Sequence, residues 1–353
     1  MTSKKETVFV GLSGGVDSSV AALRLKKTGY NVVGVFIKTW QPDFIVCNWE
    51  NERLDAMRVA AHLDIPFLTC DATEEYKESV VDYLINEYKS GRTPNPDVMC
   101  NKYVKFDAFL KFAIKRGADK IATGHYAQVR ETEGVFKLSR GTDSSKDQTY
   151  FLWTLTQKQL KHTLFPIGDT VKSKIRDEAE EAGLSTFSKQ DSQGVCFLGE
   201  IDMAKFISHF VDTDKGNVLN IDGDIIGTHE GSILYTIGQR HGFKIENIKT
   251  SSKPLFVTEK DLERNTITVS ETYPKINSPE IHLKNINLIS KNLPDIFDAQ
   301  FRYRQKSFKV RLKMIDSKSG MLTVLTENID RPSVGQSCVF YDNDKCIGGG
   351  VIK

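Results

Sequence analysis

Apolar and polar positions follow two different rhythms along the chain. Up to about residue 200, short runs of Val, Ile, Phe and Leu alternate with segments whose apolar residues recur at helical spacing. The run 7–12 predicts a strand and 18–27 a helix, with Gly29 just past its end as a stop. Strands at 31–38 and 66–72 are interleaved with helices near 51–63, at 74–89 and at 103–116, and a last strand leads into Gly124. This βαβα order predicts an α/β domain with a doubly wound parallel sheet, whose ligand sits beyond the carboxyl ends of the strands. Past residue 200 the rhythm shortens. After a helix at 203–211 come brief strands cut by Gly, Asp and Asn turns at 222–224 and 261–265, each followed by β-branched residues. A proline-marked break at 273–279 precedes an all-β stretch that ends in Gly348, Gly349 and Gly350. The expected division is a first domain over 1–200, a small central domain over 201–276 and a β-barrel-like domain over 277–353.

Composition narrows the class. A chain of 353 residues with 39% hydrophobic and 27% charged residues is globular and large enough for several cores. Lys and Arg number 48 against 46 Asp and Glu, so a nucleic-acid surface has to be a local patch. The polar start, with neither a secretory pattern nor a membrane-length apolar stretch after it, points to the cytoplasm. Cysteines stand at 47, 70, 100, 196, 338 and 346 without a CxxC pair, so no structural zinc or other metal site is expected.

Gly11, Leu12, Ser13, Gly14, Gly15, Val16, Asp17 and Ser18 follow the first strand and open the first helix. Adjacent glycines let the backbone turn its N–H groups toward an anion, and the helix start behind them adds positive potential. Ser13, Ser18 and Ser19 add hydroxyls, whereas Asp17 suits Mg2+ or a cap. No Gly-Lys-Ser/Thr occurs, which excludes the common P-loop. The run SGGVDS is similar to the signature of the PP-loop ATP pyrophosphatases, a resemblance that implies ATP cleaved between its α- and β-phosphates while a substrate oxygen is adenylated.

Two segments carry thiols. In GRTPNPDVMCNK (91–102), two prolines in three residues predict a stiff extended loop bearing Cys100, with Asp97 before it to shuttle protons and Lys102 after it to lower the thiol pKa. In KQDSQGVCFLGE (189–200), Cys196 follows a polar, glycine-containing turn. Taken singly, each reads more readily as a turn with a core cysteine.

Taken together with TGHYA (123–127), KDQTYFL (146–152), YTIGQRHG (235–242), FRYRQ (301–305) and the terminal GQSCVFYDNDKCIGGG, they occur in the order found in tRNA-specific 2-thiouridylases, which the chain resembles over nearly its whole length. The resemblance implies that Cys196 carries a persulfide, that Cys100 pairs with it in a disulfide, and that Asp97 is the acid/base beside them. It implies a nucleotide site at Gly11, Leu12, Ser13, Gly14, Gly15, Val16, Asp17, Ser18, Ile37 and Gly124. Asn95, Pro96 and Asp97 would line the target base, and His125, Lys146, Asp147, Gln148, Arg302, Tyr303 and Gln336 would contact tRNA. The implied substrates are ATP with Mg2+ and the wobble uridine of Lys, Glu and Gln tRNAs, and the implied partner is a sulfur donor, either a cysteine desulfurase or a relay protein. Ile37 stands where many relatives carry Met, Tyr103 where an acidic residue is common, and the loop around Cys47 is unusual.

Residues 301–313 hold six basic side chains and no acid. On a strand, Arg302, Arg304 and Lys306 would share one face, with Lys309, Arg311 and Lys313 in the opposite phase after a bulge near Ser307. Such a strip suits phosphates, with Tyr303 or Phe301 available for stacking. The mixed-charge segment 172–183 reads as a helix with a solvated face. Two rivals are a PP-loop ligase, which would leave both cysteines without a task, and an ATP-gated RNA-binding protein, which would not turn over.

Overall fold

The computed structural model describes residues 5–44, 49–191, 194, 196, 199, 202–246, 253–276 and 278–353; the predictions that fall on Cys47 and on most of 192–201 lie outside them. Its first sheet is parallel throughout, from β1 (Thr7–Gly11), β2 (Asn31–Lys38), β3 (Phe67–Asp71), β4 (Lys120–Ala122) and, after the hairpin β5 (Ala127–Thr132) and β6 (Val135–Arg140), β7 (Thr163–Leu164). The strand order β3-β2-β1-β4-β7 reverses between β1 and β4 and opens a crevice at their carboxyl ends. Alternation sends Val8, Val10, Val32 and Phe36 into one core with helices α1 (Val16–Lys27) and α2 (Trp49–His62). Phe9, Val33, Val35 and Ile37 enter the opposite core. With helices on both faces, β2 is buried along six consecutive residues, which is why it reads as an unbroken apolar run.

The second core is covered by two helices that depart from regular α geometry. One runs Thr73–Tyr76, π-helical Lys77–Asp82, then Tyr83–Lys89. The other runs Pro96–Met99, π-helical Cys100–Ala108, then Phe109–Lys115. Cys100 therefore lies inside a helix and not on the expected extended loop. Pro96 occupies the first helical position, where a missing amide costs nothing, and the Asn95 side chain caps the start by accepting from the Val98 amide at 3.2 Å.

The central region builds a sheet from β8 (Gly216–Leu219), β9 (Ile225–His229), β10 (Lys244–Ile245), β11 (Phe256–Asp261) and β12 (Thr266–Ser270), in the order β10-β9-β8-β12-β11. Val218, Tyr235, Val257, Ile267 and Val269 form its small core. The last region is a closed barrel of β13 (Glu280–Leu288), β14 (Phe297–Gln300), β15 (Phe308–Met314), β16 (Gly320–Val324), β17 (Ser337–Asp342) and β18 (Lys345–Ile352). Strand order β13-β16-β15-β14-β17-β18 is completed by pairing of β13 with β18. The β5–β6 hairpin, early in the chain, also pairs with β18 and so joins the first region to the barrel.

The basic run does not form one strand. Arg302, Arg304 and Lys306 lie in the turn between β14 and β15, closed by the Phe301 amide donating to the Gln305 side chain at 2.7 Å. Lys309, Arg311 and Lys313 alone share the exposed face of β15, and two of them are paired, Lys309 with Asp298 and Arg311 with Asp295. Among the described residues no helix is long and apolar enough to cross a membrane.

Candidate active site

The glycine-rich turn stands at the mouth of the β1/β4 crevice. Gly15 precedes α1 in an extended conformation and no side chain caps the helix start, which leaves its first amides directed outward. Ser18 braces the turn, accepting from the Ser13 amide at 3.2 Å and donating to the Gly15 carbonyl at 3.1 Å. Two glycines are sterically required. Gly14 has φ +73°, and an added methyl there would lie 2.6 Å from the Glu52 carbonyl oxygen. At Gly124 a methyl would lie 2.6 Å from the Ser18 nitrogen, so the chain leaving β4 passes against the first turn of α1. A methyl added at Gly11 would meet Phe109 at 3.6 Å and Ile37 at 3.7 Å, so these two side chains close the floor of the crevice.

Asp17 does not face solvent as a bare carboxylate. It accepts from the Tyr126 hydroxyl at 2.7 Å and from the Lys172 ammonium at 2.7 and 2.8 Å. Lys172 also pairs with Asp191 at 2.8 Å, and Asp191 gathers Lys146 at 2.8 Å and Arg176 at 2.7 Å. Burial alone would raise the Asp191 pKa, but Lys146 and Lys172 outweigh it and hold the group at about 2. The Lys172–Glu181 helix is thus not only a solvated face: Lys172, Arg176 and Glu178 tie it to the glycine-rich turn, to Asp191 and to Arg24 of α1.

Beyond the floor, the Pro96–Lys115 helix carries Cys100 to within 3.4 Å, sulfur to sulfur, of Cys196. Both are free thiols, Cys100 fully buried and Cys196 half-buried. The separation exceeds a covalent S–S bond of about 2.05 Å but is short enough for one to form with a small side-chain shift. Cys196 is fixed through its backbone: its amide donates to Asp97 Oδ1 at 2.9 Å, and its carbonyl accepts from the buried Tyr76 hydroxyl at 2.7 Å. A hydrogen bond from the Cys100 thiol lowers the Cys196 pKa, burial opposes it, and the Lys105 ammonium adds to the lowering. Burial, and then the hydrogen bond to Cys196, push the Cys100 thiol well up. Burial also raises the Asp97 pKa, against the Cys196 amide and Lys105.

Lys102 was the cation expected beside the thiols, but its ammonium lies over the Tyr103 ring at 4.7 Å. Lys105 takes that place: its positive charge lowers the Cys196 pKa, and the two sulfurs in turn raise its own. Helical spacing drawn from an α-helix could not nominate it, because Lys105 and Cys100 share a face only through the π-helical stretch.

The remaining predicted residues divide into two groups. His125 is buried, its Nδ1 2.7 Å from the Thr123 hydroxyl and its ring between Phe106 and Phe165. Asp147 is buried as an acceptor for Arg140 at 2.6 Å and for the Gly141 and Thr149 amides, and Gln148 accepts from the Tyr126 amide at 2.9 Å. These three brace the chain around the crevice. By contrast, Arg302 and Gln336 line an open cleft of about 1050 Å³ between the central sheet and the barrel, together with Tyr235, Gln239, His241 and Arg331. Gln336 donates from Nε2 to the Thr93 and Pro94 carbonyls at 3.1 and 3.4 Å, linking that cleft to the segment that starts the Cys100 helix. Tyr303 packs on Phe151, with the Arg304 guanidinium over its ring.

Comparison with known proteins covers the chain from end to end. Residues 6–200 match the family model described as tRNA methyl transferase HUP domain, 204–271 the tRNA methyl transferase PRC-barrel domain, and 278–352 the Aminomethyltransferase beta-barrel domain. The chain is 44% identical over 363 residues to the tRNA-specific 2-thiouridylase MnmA of Streptococcus thermophilus, spanning 100% of this chain and 96% of that protein. The protein of the same name from Bacillus pumilus shows the same identity and coverage. That of Enterococcus faecalis is 43% identical over 358 residues, spanning 99% and 96%.

Proposed function

The chain belongs to the tRNA-specific 2-thiouridylase family, and from that premise we propose that it is a sulfurtransferase that activates a tRNA wobble uridine with ATP and replaces its 2-oxygen with sulfur. The uridine oxygen attacks the α-phosphate of ATP, pyrophosphate leaves, and the carbon then carries AMP as a good leaving group. The open start of α1, with Ser13 and Ser18, receives the polyphosphate. Mg2+ carried on the ATP phosphates would supply charge neutralisation there, and Asp17, in the first turn of α1, would reach it once the Lys172 ammonium that holds both its oxygens turns to the phosphates. Sulfur arrives when the Cys196 thiolate attacks the outer sulfur of a donor persulfide; the donor's S–S bond breaks and its electron pair leaves with the donor thiolate. The outer sulfur then reaches the activated carbon, either from Cys196 or as hydrosulfide. In both routes Cys100 gives its proton to Asp97 and attacks the Cys196 sulfur, AMP leaves, and a thiol reductant reopens the disulfide.

One observation carries this reading: two thiols 96 residues apart in sequence meet at 3.4 Å, with a carboxylate and an ammonium beside them. A methyl transfer, the wording of two family descriptions, gives the pair no shared task. Wobble uridines of Lys, Glu and Gln tRNAs are the expected substrates, bound across Asn95, Pro96 and the Arg302–Gln336 cleft, with a cytoplasmic cysteine desulfurase or relay protein as donor. Mass spectrometry of nucleosides from cells that depend on this protein tests the proposal. Cys196→Ala should eliminate 2-thiouridine from those tRNAs while ATP still binds; full thiolation by that variant overturns it.

A further inference from the structure

We propose that Lys105 is a catalytic residue of the sulfur chemistry: carried onto the Cys100 face by the π-helical stretch, its ammonium holds the Cys196 sulfur as an anion opposite Cys100. This deepens the reading above and rests on it. In an α-helix the fifth residue onward points about 140° away from the first. Here Cys100–Ala108 is π-helical, with the Phe109 amide reaching the Val104 carbonyl five residues back, so the fifth residue returns toward the starting face. That places Lys105, not the nearer Lys102, with the thiols. Among the described residues, the groups that face Cys196 are Cys100, Asp97 and Lys105 from this helix and Tyr76 from the neighbouring one. Tyr76 and Asp97 bond its backbone, Cys100 donates to its sulfur, and Lys105 is the one cation in the group. Burial works against a charged lysine here, yet its pKa is raised, because the neighbouring sulfurs and Asp97 more than compensate.

The assisted step is the loading of Cys196. Its thiol proton has gone to solvent, its thiolate attacks the outer sulfur of a donor persulfide, one S–S bond forms, and the donor S–S bond breaks toward the donor thiolate. The product, a Cys196 persulfide, is again an anion, so the same ammonium holds it until Cys100 attacks.

The test is the pH dependence of Cys196 alkylation by iodoacetamide in the full-length protein, followed by peptide mass spectrometry. Lys105→Met should move the midpoint up by at least about one pH unit and slow alkylation at neutral pH about tenfold or more, since an unassisted thiol ionises near 8.5. Lys105→Arg should restore the rate to within about threefold, and Lys102→Met should leave the midpoint unmoved. An unchanged midpoint in folded Lys105→Met overturns the proposal. If that variant does not fold, the wild type decides: its thiolate absorbance should titrate below about pH 8 and vanish in Cys196→Ser, and a midpoint above about 9 overturns the proposal. Thiolation that survives Cys196→Ser would sink the functional reading itself, whereas a dead Cys196→Ser with an unperturbed Lys105→Met profile sinks only the assignment of Lys105.

Discussion

Gly124→Ala puts the nucleotide site to the sharpest test, because the two closest contacts it creates are with backbone. The added methyl would lie 2.6 Å from the Ser18 nitrogen and 2.7 Å from the Asp17 carbonyl carbon, well inside van der Waals contact. Neither atom belongs to a side chain that can swing away. Either the first turn of α1 retreats or the chain leaving β4 does, and overpacking of this kind costs about 1–3 kcal/mol. Retreat of α1 displaces the amides and the Ser18 hydroxyl that would hold phosphate, so the strain falls on the bound state. At about 1.4 kcal/mol per tenfold, ATP affinity should fall about ten- to a hundredfold. Isothermal titration calorimetry with ATP reads the affinity, and thermal melting followed by circular dichroism reads the stability. Gly134→Ala is the control: Gly134, at the tip of the β5–β6 hairpin, has φ +74° and open space around its α-carbon, so it should lose about 1–2 kcal/mol of stability without weakening ATP. ATP binding by Gly124→Ala within about threefold of wild type would refute the reasoning.

Three further outcomes are expected. Cys100→Ser should still take up sulfur from a persulfide donor and retain it on Cys196, seen as a 32-Da adduct by intact-mass spectrometry of about one sulfur per chain, with turnover lost; an adduct-free, active variant would contradict the pairing. Asp191→Asn removes the shared partner of Lys146, Lys172 and Arg176. Because the folded carboxyl titrates at about 2 and its unfolded counterpart near 4, the wild type's advantage is complete above that unfolded value and fades as pH falls through about 2. Screening at this partly exposed group reduces the advantage to about 1–2 kcal/mol, and equal urea midpoints at pH 7 would count against it. Asn95→Ala deletes the cap of the Cys100 helix and should cost about 1 kcal/mol in urea unfolding, with an undiminished midpoint as the contrary result.

Sequence alone determined the sheet and the position of the crevice at its carboxyl ends. Apolar runs at the spacing of β1, β2 and β3, helical periodicity between them, and two glycines before α1 are local signals, and local signals survive translation into structure because strand and helix periods are set by backbone geometry. The change of rhythm past residue 200 likewise foretold short strands, since turn residues and β-branched runs act over a few positions. Tertiary structure decided what those signals cannot encode. Proline chemistry read as a loop became a helix start, because Pro96 sits at the one helical position that tolerates it and Asn95 caps it. Lys102 was the nearer cation in sequence, but a π-helical stretch turned Lys105 to the sulfurs. Arg302 and Arg304 left the strand for a turn closed by Gln305, and Asp147 and His125 went inward as braces. Each of these outcomes depends on partners distant along the chain, such as Tyr76 and Asp97 for Cys196 or Lys172 for Asp17, and a periodicity measured over a dozen residues carries no information about them.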